Sequence, residues 1–380
     1  MFKINEELAK DLIEKRRDLH RNPELAFEEF NTTEHLKKWL GEHGIPILPF
    51  GLETGIIAEV RGEHEGPTIA IRSDIDALPI KEETDVPFRS EIDGKMHACG
   101  HDFHAVSILG AAILLNEQKD LLHGTVRFIF QPAEEVAQGA KYLVDKGVLN
   151  DVKAVFGMHN KPDLPVGTIG VKSNGLMASV DKFEITFNGI GGHAGIPSST
   201  IDPIIMASQY VTNVQSIIAR RIDLFHNAVI SITSINGGNT WNVIPDKVVL
   251  QGTVRTFQQE ARETISSYMK KLAQTTAEGH GGAVDFQWDS YLPVVNNSEE
   301  YEEVVREAIK EAGYEVVNAV PNAGGEDFAY YLNYIPGFFV WMGVDGPKEW
   351  HHPEFDLNEE AIKVAAEYFA TLAVKVLKNA

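Results

Sequence analysis

The chain has little from which to build a disulfide, a membrane span or a basic surface. Cysteine occurs once, at Cys99, so no intrachain disulfide can form and a reducing compartment is expected. No apolar run reaches the roughly 20 residues a membrane span needs, and the opening MFKINEELAK is charged where a signal peptide would be apolar. A cytoplasmic location is the expectation. Lys and Arg number 34 against 55 Asp and Glu, for a formal net charge of −21. An acidic surface of that kind repels nucleic-acid phosphates and anionic headgroups, so neither nucleic acid nor membrane is an expected partner. A substrate bearing a carboxylate would need a local basic pocket.

What is present is apolar material enough for a large core, 43% of 380 residues, and that length predicts two domains rather than one. Leu8, Leu12 and Leu19 recur at helical spacing before Asn22-Pro23, and a second helix is expected from Glu28 to His43. Short apolar runs then alternate with helical stretches. Thr68 to Arg72, Val126 to Phe130, Val152 to Met158 and Phe338 to Met342 read as buried strands, with helices at His104 to Gln118 and Val136 to Lys146 between them. Near-continuous apolar strands separated by helices predict an α/β fold with a mostly parallel, helix-covered sheet.

From about Asp181 to Ser290 the pattern changes. Phe183, Ile185 and Phe187 alternate with polar residues, and a helix starts at Asp202-Pro203. Strands over Ala228 to Ile235 and Lys247 to Thr256, a helix from Gln259 to Ala277 and a strand through Val284, Phe286 and Trp288 follow. The order βαββαβ is that of a ferredoxin-like domain. Residues 181–290 are thus expected as an inserted lid domain, and residues 1–180 and 291–380 as the first domain, facing it across a cleft. Helices near Glu299 to Ala312 and Asn358 to Leu377 complete the first domain.

Of the fourteen histidines, those beside strand ends are informative. In Met96-His97-Ala98-Cys99-Gly100-His101-Asp102 a thiol and an imidazole stand two residues apart, both good ligands for zinc-, manganese-, cobalt- or nickel-type ions. An inert buried cysteine before a helix is the plain alternative. Glu134 and Glu135 follow the Val126 strand directly. Two adjacent carboxylates suit a division of labour, one binding metal and the other moving a proton; a solvated acidic helix start is the alternative. His159 follows the Val152 strand, His351-His352 lies after the Phe338 strand, and Asp74 and Asp76 end the Ile69 strand. In open α/β sheets ligands gather at the carboxyl ends of strands, so these segments converge on one edge.

With these residues assembled, the chain resembles the aminoacylase–carboxypeptidase superfamily of dinuclear metallopeptidases, in its amidohydrolase branch of hippurate hydrolases, indole-acetyl-amino-acid hydrolases and N-acetyl-amino-acid deacetylases. The likeness runs end to end. It includes Arg17-Asp18-Leu19-His20-Arg21-Asn22-Pro23-Glu24-Leu25, Ser73-Asp74-Ile75-Asp76-Ala77-Leu78-Pro79, Cys99-Gly100-His101-Asp102, Gln131-Pro132-Ala133-Glu134-Glu135, Gly191-Gly192-His193-Ala194 and Gly324-Gly325-Glu326-Asp327-Phe328. Within the branch, the Bacillus-type deacetylases associated with N-acetylcysteine are the most similar group.

The resemblance implies two divalent ions (Mn, Zn, Co or Ni), with Cys99 as bridging thiolate and His101, Glu135, His159 and His352 as the other ligands. It implies Glu134 as general base and Asp76 as a residue orienting a ligand. His193, in a glycine-rich loop, is the candidate oxyanion donor and in relatives can reach a partner's site; a loop-stabilising histidine is the alternative. Asn242 and Arg255 are candidates for binding a carboxylate, against a surface ion pair for Arg255. Gly324 and Gly325 are candidates for close backbone approach to substrate, against a simple turn. A homodimer through the inserted domain is implied. The expected activity is hydrolysis of small N-acyl, chiefly N-acetyl, amino acids. A dipeptidase or carboxypeptidase of the same superfamily and a non-catalytic metal-binding protein are the rivals; Glu134 beside Glu135 favours catalysis.

Overall fold

The computed structural model describes residues 2–379. The chain folds as two compact units. One comprises residues up to Asn174, Asn297–Val320 and Glu326 onward; the other comprises Gly175–Asn296 and Pro321–Gly325. The second unit therefore begins six residues before the expected boundary at 181, and it draws in a short segment just ahead of Glu326.

The first unit is built on a seven-stranded sheet. Its centre is the four expected strands, seen as His123–Gln131, His64–Asp74, Val152–Lys161 and Gly337–Gly343, side by side and all parallel. Every residue of Gly337–Gly343 is buried, as a strand covered on both faces requires. The edges were not expected. Ile56–Arg61 pairs antiparallel with His123–Gln131 on one side. On the other, Thr168–Val171 runs antiparallel to Gly337–Gly343 and parallel to Glu315–Asn318. The sheet is mixed, with its parallel strands in the middle.

The helix His101–Glu117 is buried from His101 through Leu115, and Ala361–Asn379 is buried along most of its length. Both belong to one continuous apolar core with the sheet. Among the described residues no helix is long and apolar enough to cross a membrane.

One helix is shorter than expected. It spans Gly139–Asp145, because residues 132–138 form an irregular turn with Ala133 at φ 58° and Ala137 at φ 55°. The Gly139 N–H donates to Ala133 O, and a Cβ at Gly139 would lie 1.7 Å from Pro132 O, so only glycine fits there.

In the second unit a four-stranded antiparallel sheet has the order Ala283–Leu292, Val180–Asn188, Lys247–Thr256, Ala228–Asn236. That is the 4-1-3-2 order of a ferredoxin-like sheet. Helices Pro203–Val214 and Gln259–Gly279 pack on one face, with Phe183, Ile185, Phe187, Tyr210, Leu250 and Met269 in the core. Asp202 caps the first helix by accepting the Ile204 N–H, with Pro203 in its first turn.

Candidate metal centre

The four parallel strands end on one edge of the sheet, at Asp74, Gln131, Lys161 and Gly343. His159 lies two residues before the end of its strand. Glu134 and Glu135 lie in the turn after Gln131, and the Trp350-His351 loop follows Gly343. Cys99 and His101 flank Gly100, which caps the His101–Glu117 helix in the left-handed region at φ 80°. Asp102, in the first turn of that helix, lies 2.8 Å from both Arg16 Nε and His20 Nδ1. This buried pairing ties the Arg17–Leu25 motif region to the helix start.

These segments bring their donor atoms together. One ligand atom each from Cys99, His101 and His159 lie within 4.8 Å of one another, and so do those of Cys99, Glu135 and His351. The two triads share Cys99. His101, Glu134 and Glu135 form a third such group. Cys99 Sγ is 3.3 Å from His159 Nε2, and His351 Nε2 is 3.5 Å from Glu135 Oε1.

Hydrogen bonding orients the imidazoles. His159 Nδ1 faces the Asn160 carbonyl at 2.9 Å and must donate to it, which leaves the Nε2 lone pair toward Cys99. His101 Nδ1 faces Asp76 Oδ1 at 3.1 Å, again freeing Nε2. The other oxygen of Asp76 accepts the Glu135 N–H at 3.0 Å, so one carboxylate orients two donors. His104 is fully committed. Its Nε2 accepts the Asn160 N–H at 2.9 Å and its Nδ1 is 2.6 Å from Asp74 Oδ1.

The field is strongly negative. Asp74, Asp76, Glu134, Glu135, Glu326 and Asp327 gather here, and Arg72 pairs with three of them, Asp74 (2.8 Å), Glu326 (3.0 Å) and Asp327 (2.8 Å). Burial, with the charges of Glu326, Glu135 and Asp327, holds the Glu134 carboxyl well above the usual carboxylate range. Burial also acts against the charge of Glu135, yet His351 and His101 hold that carboxyl below its ordinary value. Two adjacent carboxyls with proton affinities pushed apart suit different roles. Burial, together with Glu135, Glu134 and Asp74, pushes the Cys99 thiol well up. Burial opposes an imidazolium at His101, but Asp74, Asp76 and Glu135 raise it to about 10.

This donor set fits divalent cations. Among the described residues the buried His101 Nε2 has no hydrogen-bond partner. The carboxylates that favour a proton on His101 favour a cation there equally, and a thiolate at Cys99 needs adjacent positive charge.

Six of the expected site residues thus meet in the first unit: Cys99, His101, Glu134, Glu135, His159 and Asp76. His352 does not. It is exposed, and its Nδ1 accepts the Glu354 N–H at 3.0 Å. Its neighbour His351 takes the place expected for it. His351 sits at φ 64°, rare for a residue with a Cβ, and its N–H donates to Ala98 O at 2.8 Å. That conformation holds the loop beside Cys99 and turns successive side chains apart.

The other expected residues belong to the second unit. His193 and Asn242 lie on paired segments, with His193 opposite Val243 and the Ala194 N–H donating to Asn242 O at 3.1 Å. Both side chains are exposed, and His193 Nδ1 accepts the Gly195 N–H. Arg255 is half-buried and bonds its own strand at Val254 O and the Thr253 hydroxyl. Among the described residues it forms no ion pair. Gly325 has a packing reason to be glycine: a Cβ there would lie 2.6 Å from Leu292 Cδ1 and Val180 Cγ2. The Gly324 N–H donates to Asn322 Oδ1 at 2.7 Å, closing a turn.

Three buried residues at the centre were not foreseen. His104 follows His101 by three positions, a helical spacing that would have put both on one face. Asn160 directly follows His159. Glu29, which accepts the Ala133 N–H at 2.8 Å beneath the Glu134 turn, carries no such signal.

A family model described as peptidase family M20/M25/M40 matches residues 70–375. An N-acetylcysteine deacetylase of Bacillus subtilis (strain 168) is 56% identical over 369 residues, 97% of each chain. An N-acetyl-L-cysteine deacetylase of the same organism is 47% identical over 370 residues, covering 97% of this chain and 89% of its own. A solved Bacillus subtilis structure, described as a dinuclear metal binding peptidase of the M20 family, matches with a TM-score of 0.92 at 52% identity. It covers 99% of this chain and 100% of its own.

Proposed function

Because the chain belongs to the M20/M25/M40 peptidase family and is an amide-hydrolysing enzyme, we propose that it removes the acyl group from small N-acyl amino acids, N-acetyl derivatives first among them. The observation that carries this reading is the pair of donor triads sharing Cys99, with the Glu134 carboxyl, which accepts the Asp327 N–H, beside them.

In this reading Cys99, His101 and His159 hold one divalent cation, and Cys99, Glu135 and His351 hold the other. Thiolate, imidazole and carboxylate together suit zinc, manganese, cobalt or nickel. When bound, the cations supply Lewis acidity toward the scissile carbonyl and the attacking water. Glu134 takes the proton of that water and later returns it to the departing amine nitrogen. Asp76 keeps His101 and Glu135 aimed. His193 donates a hydrogen bond to the oxyanion as it develops. Arg255, which forms no ion pair among the described residues, binds the substrate carboxylate with help from Asn242.

The second unit is also the candidate dimer surface. Its sheet ends on the edge strand Ala228–Asn236, where Val229 and Ile235 are exposed, and Trp241 and Leu224 are each 92% exposed. An apolar edge of that kind favours a second copy of the chain. Light scattering at micromolar concentration should give twice the chain mass; a monomer throughout would exclude the dimer.

The reading is tested by purified protein loaded with zinc or manganese and offered N-acetylcysteine, other N-acetyl amino acids, hippurate, N-acetyl-diaminopimelate, indole-acetyl conjugates and matched dipeptides, with the bound metal quantified. Turnover of N-acetyl amino acids above that of the dipeptides is expected. Preference for dipeptides would favour the peptidase alternative, and turnover of none the non-catalytic one.

A further inference from the structure

We propose that Asn160 is a positioning residue that clamps together the three segments bearing Cys99, His159 and His351, and thereby sets the affinity of the metal centre. The inference rests on the ligand reading above.

Asn160 is fully buried. Its Nδ2 donates to the Cys99 carbonyl at 2.6 Å, and its Oδ1 accepts the Trp350 indole N–H at 3.0 Å. Its own carbonyl accepts from His159 Nδ1 at 2.9 Å, and its N–H donates to His104 Nε2 at 2.9 Å. A single side chain thus fixes the backbone beside the shared thiol and the residue preceding His351, while its main chain orients His159. Through His104 it also reaches Asp74. Trp350 packs edge-on against His159 with ring centroids 4.6 Å apart, and the Lys161 ammonium stands 5.2 Å over the indole.

The amide is chemically specific here. It must offer a donor to Cys99 O and an acceptor to Trp350 Nε1 from a side chain of one length. Aspartate offers no donor and leucine neither group. The surroundings are cut to fit it: a Cβ on Gly100 would lie 2.6 Å from Asn160 Nδ2, so glycine there serves both the left-handed turn and this contact. Donors arriving from separate segments bind a cation well only if they are held near their final geometry before it arrives.

The test is the zinc dissociation constant of the full chain, measured by competition with a chromophoric chelator, beside the melting temperature of the metal-free protein. Asn160→Ala should weaken zinc binding about 10–100-fold, the range typical of partners that orient ligands. Trp350→Phe, which deletes only the indole donor, should weaken it by a smaller but measurable factor. His351→Ala should lose more than either. If Asn160→Ala and Trp350→Phe bind zinc within twofold of the unaltered chain while His351→Ala does not, the clamp is wrong and the ligand reading stands. A lower metal-free melting temperature with unchanged zinc affinity would likewise reduce Asn160 to a packing role. If His351→Ala and Cys99→Ala both bind zinc normally, the ligand reading itself fails. Should Asn160→Ala not fold, Trp350→Phe alone decides, and an unchanged affinity there overturns the proposal.

Discussion

The candidate site residues of the two units hold their polar side chains in opposite ways. In the first, His101 leans on Asp76, His159 on the Asn160 carbonyl, His104 on Asp74, and Arg72 on three carboxylates, nearly all of them buried. In the second, His193 and Asn242 stand exposed on short paired segments, and Arg255 bonds its own strand. The first arrangement holds donors in one fixed geometry, as a metal centre demands. The second leaves His193 and Asn242 without such buried partners, as the substrate-binding role proposed for them requires. Fixed groups and free groups should fail differently when removed.

The sharpest contrast lies at Glu134. Its neighbours raise its proton affinity, whereas Glu135 one residue on is held ionised by His351 and His101. Glu134→Gln keeps the shape and the hydrogen-bond acceptor but cannot take a proton. We expect kcat to fall about 10²–10⁴-fold, the span typical of a lost general base, with bound metal per chain unchanged. A Glu134→Gln protein turning over at near the normal rate would remove that carboxyl from the mechanism. Loss of metal along with activity would instead make Glu134 a ligand.

Arg255 should behave otherwise. Arg255→Leu deletes a charged donor that forms no ion pair among the described residues. A hydrogen bond to a charged group contributes about 1.5–3 kcal/mol, so KM for a carboxylate substrate should rise about 10–100-fold. Metal affinity should not move, and kcat at saturating substrate should change far less than KM, the signature of binding shared by ground and transition states. If Arg255→Leu released metal, the division between a fixed and a free region would not hold. If KM stayed level, the substrate carboxylate would be bound elsewhere.

Much of this organisation could be read from the sequence because burial leaves a pattern there. The four runs at Ile69, Val126, Val152 and Phe338 are apolar throughout since both faces of a central parallel strand are covered, and they form the middle of the sheet in the structure. Alternation at Phe183, Ile185 and Phe187 marked a strand covered on one side only. Cys99, His101, Glu135 and His159 were found because they sit at strand ends or at a helix start. What left no pattern was loop conformation. His351 and His352 are equal as letters, and only the left-handed turn at His351 decides which of them faces Glu135. The strands Ile56–Arg61, Thr168–Val171 and Glu315–Asn318 run only four to six residues, too few to show a period. Asn160 and Glu29 act through bonds to backbone atoms of distant segments, and a sequence does not record which loop will pass within 3 Å.

Glu29 gives the subtlest test of whether the fixed region is held at some cost to folding. Its Oε1 accepts the Ala133 N–H, steadying the left-handed residue just before Glu134, and the carboxyl is buried. Burial, reinforced by the charge of Asp76, raises this carboxyl from 4.5 to about 7. Between those values the unfolded chain releases the proton while the folded chain keeps it. The folded chain then binds more protons, so this group's contribution to stability falls as pH rises from about 4.5 to about 7 and levels off above. Glu29→Gln is neutral at every pH and can accept the same N–H. Its stability relative to the unaltered chain should therefore grow across that window, by ~1–3 kcal/mol at pH 8. Urea denaturation of both proteins at pH 5 and pH 8 measures the difference, in which the pH-dependent terms they share cancel. A difference that does not change with pH would mean that Glu29 ionises as freely in the fold as out of it. A growing difference, joined to a lower kcat in the variant, would mean that a costly carboxyl is kept beneath the Glu134 turn because the turn depends on it.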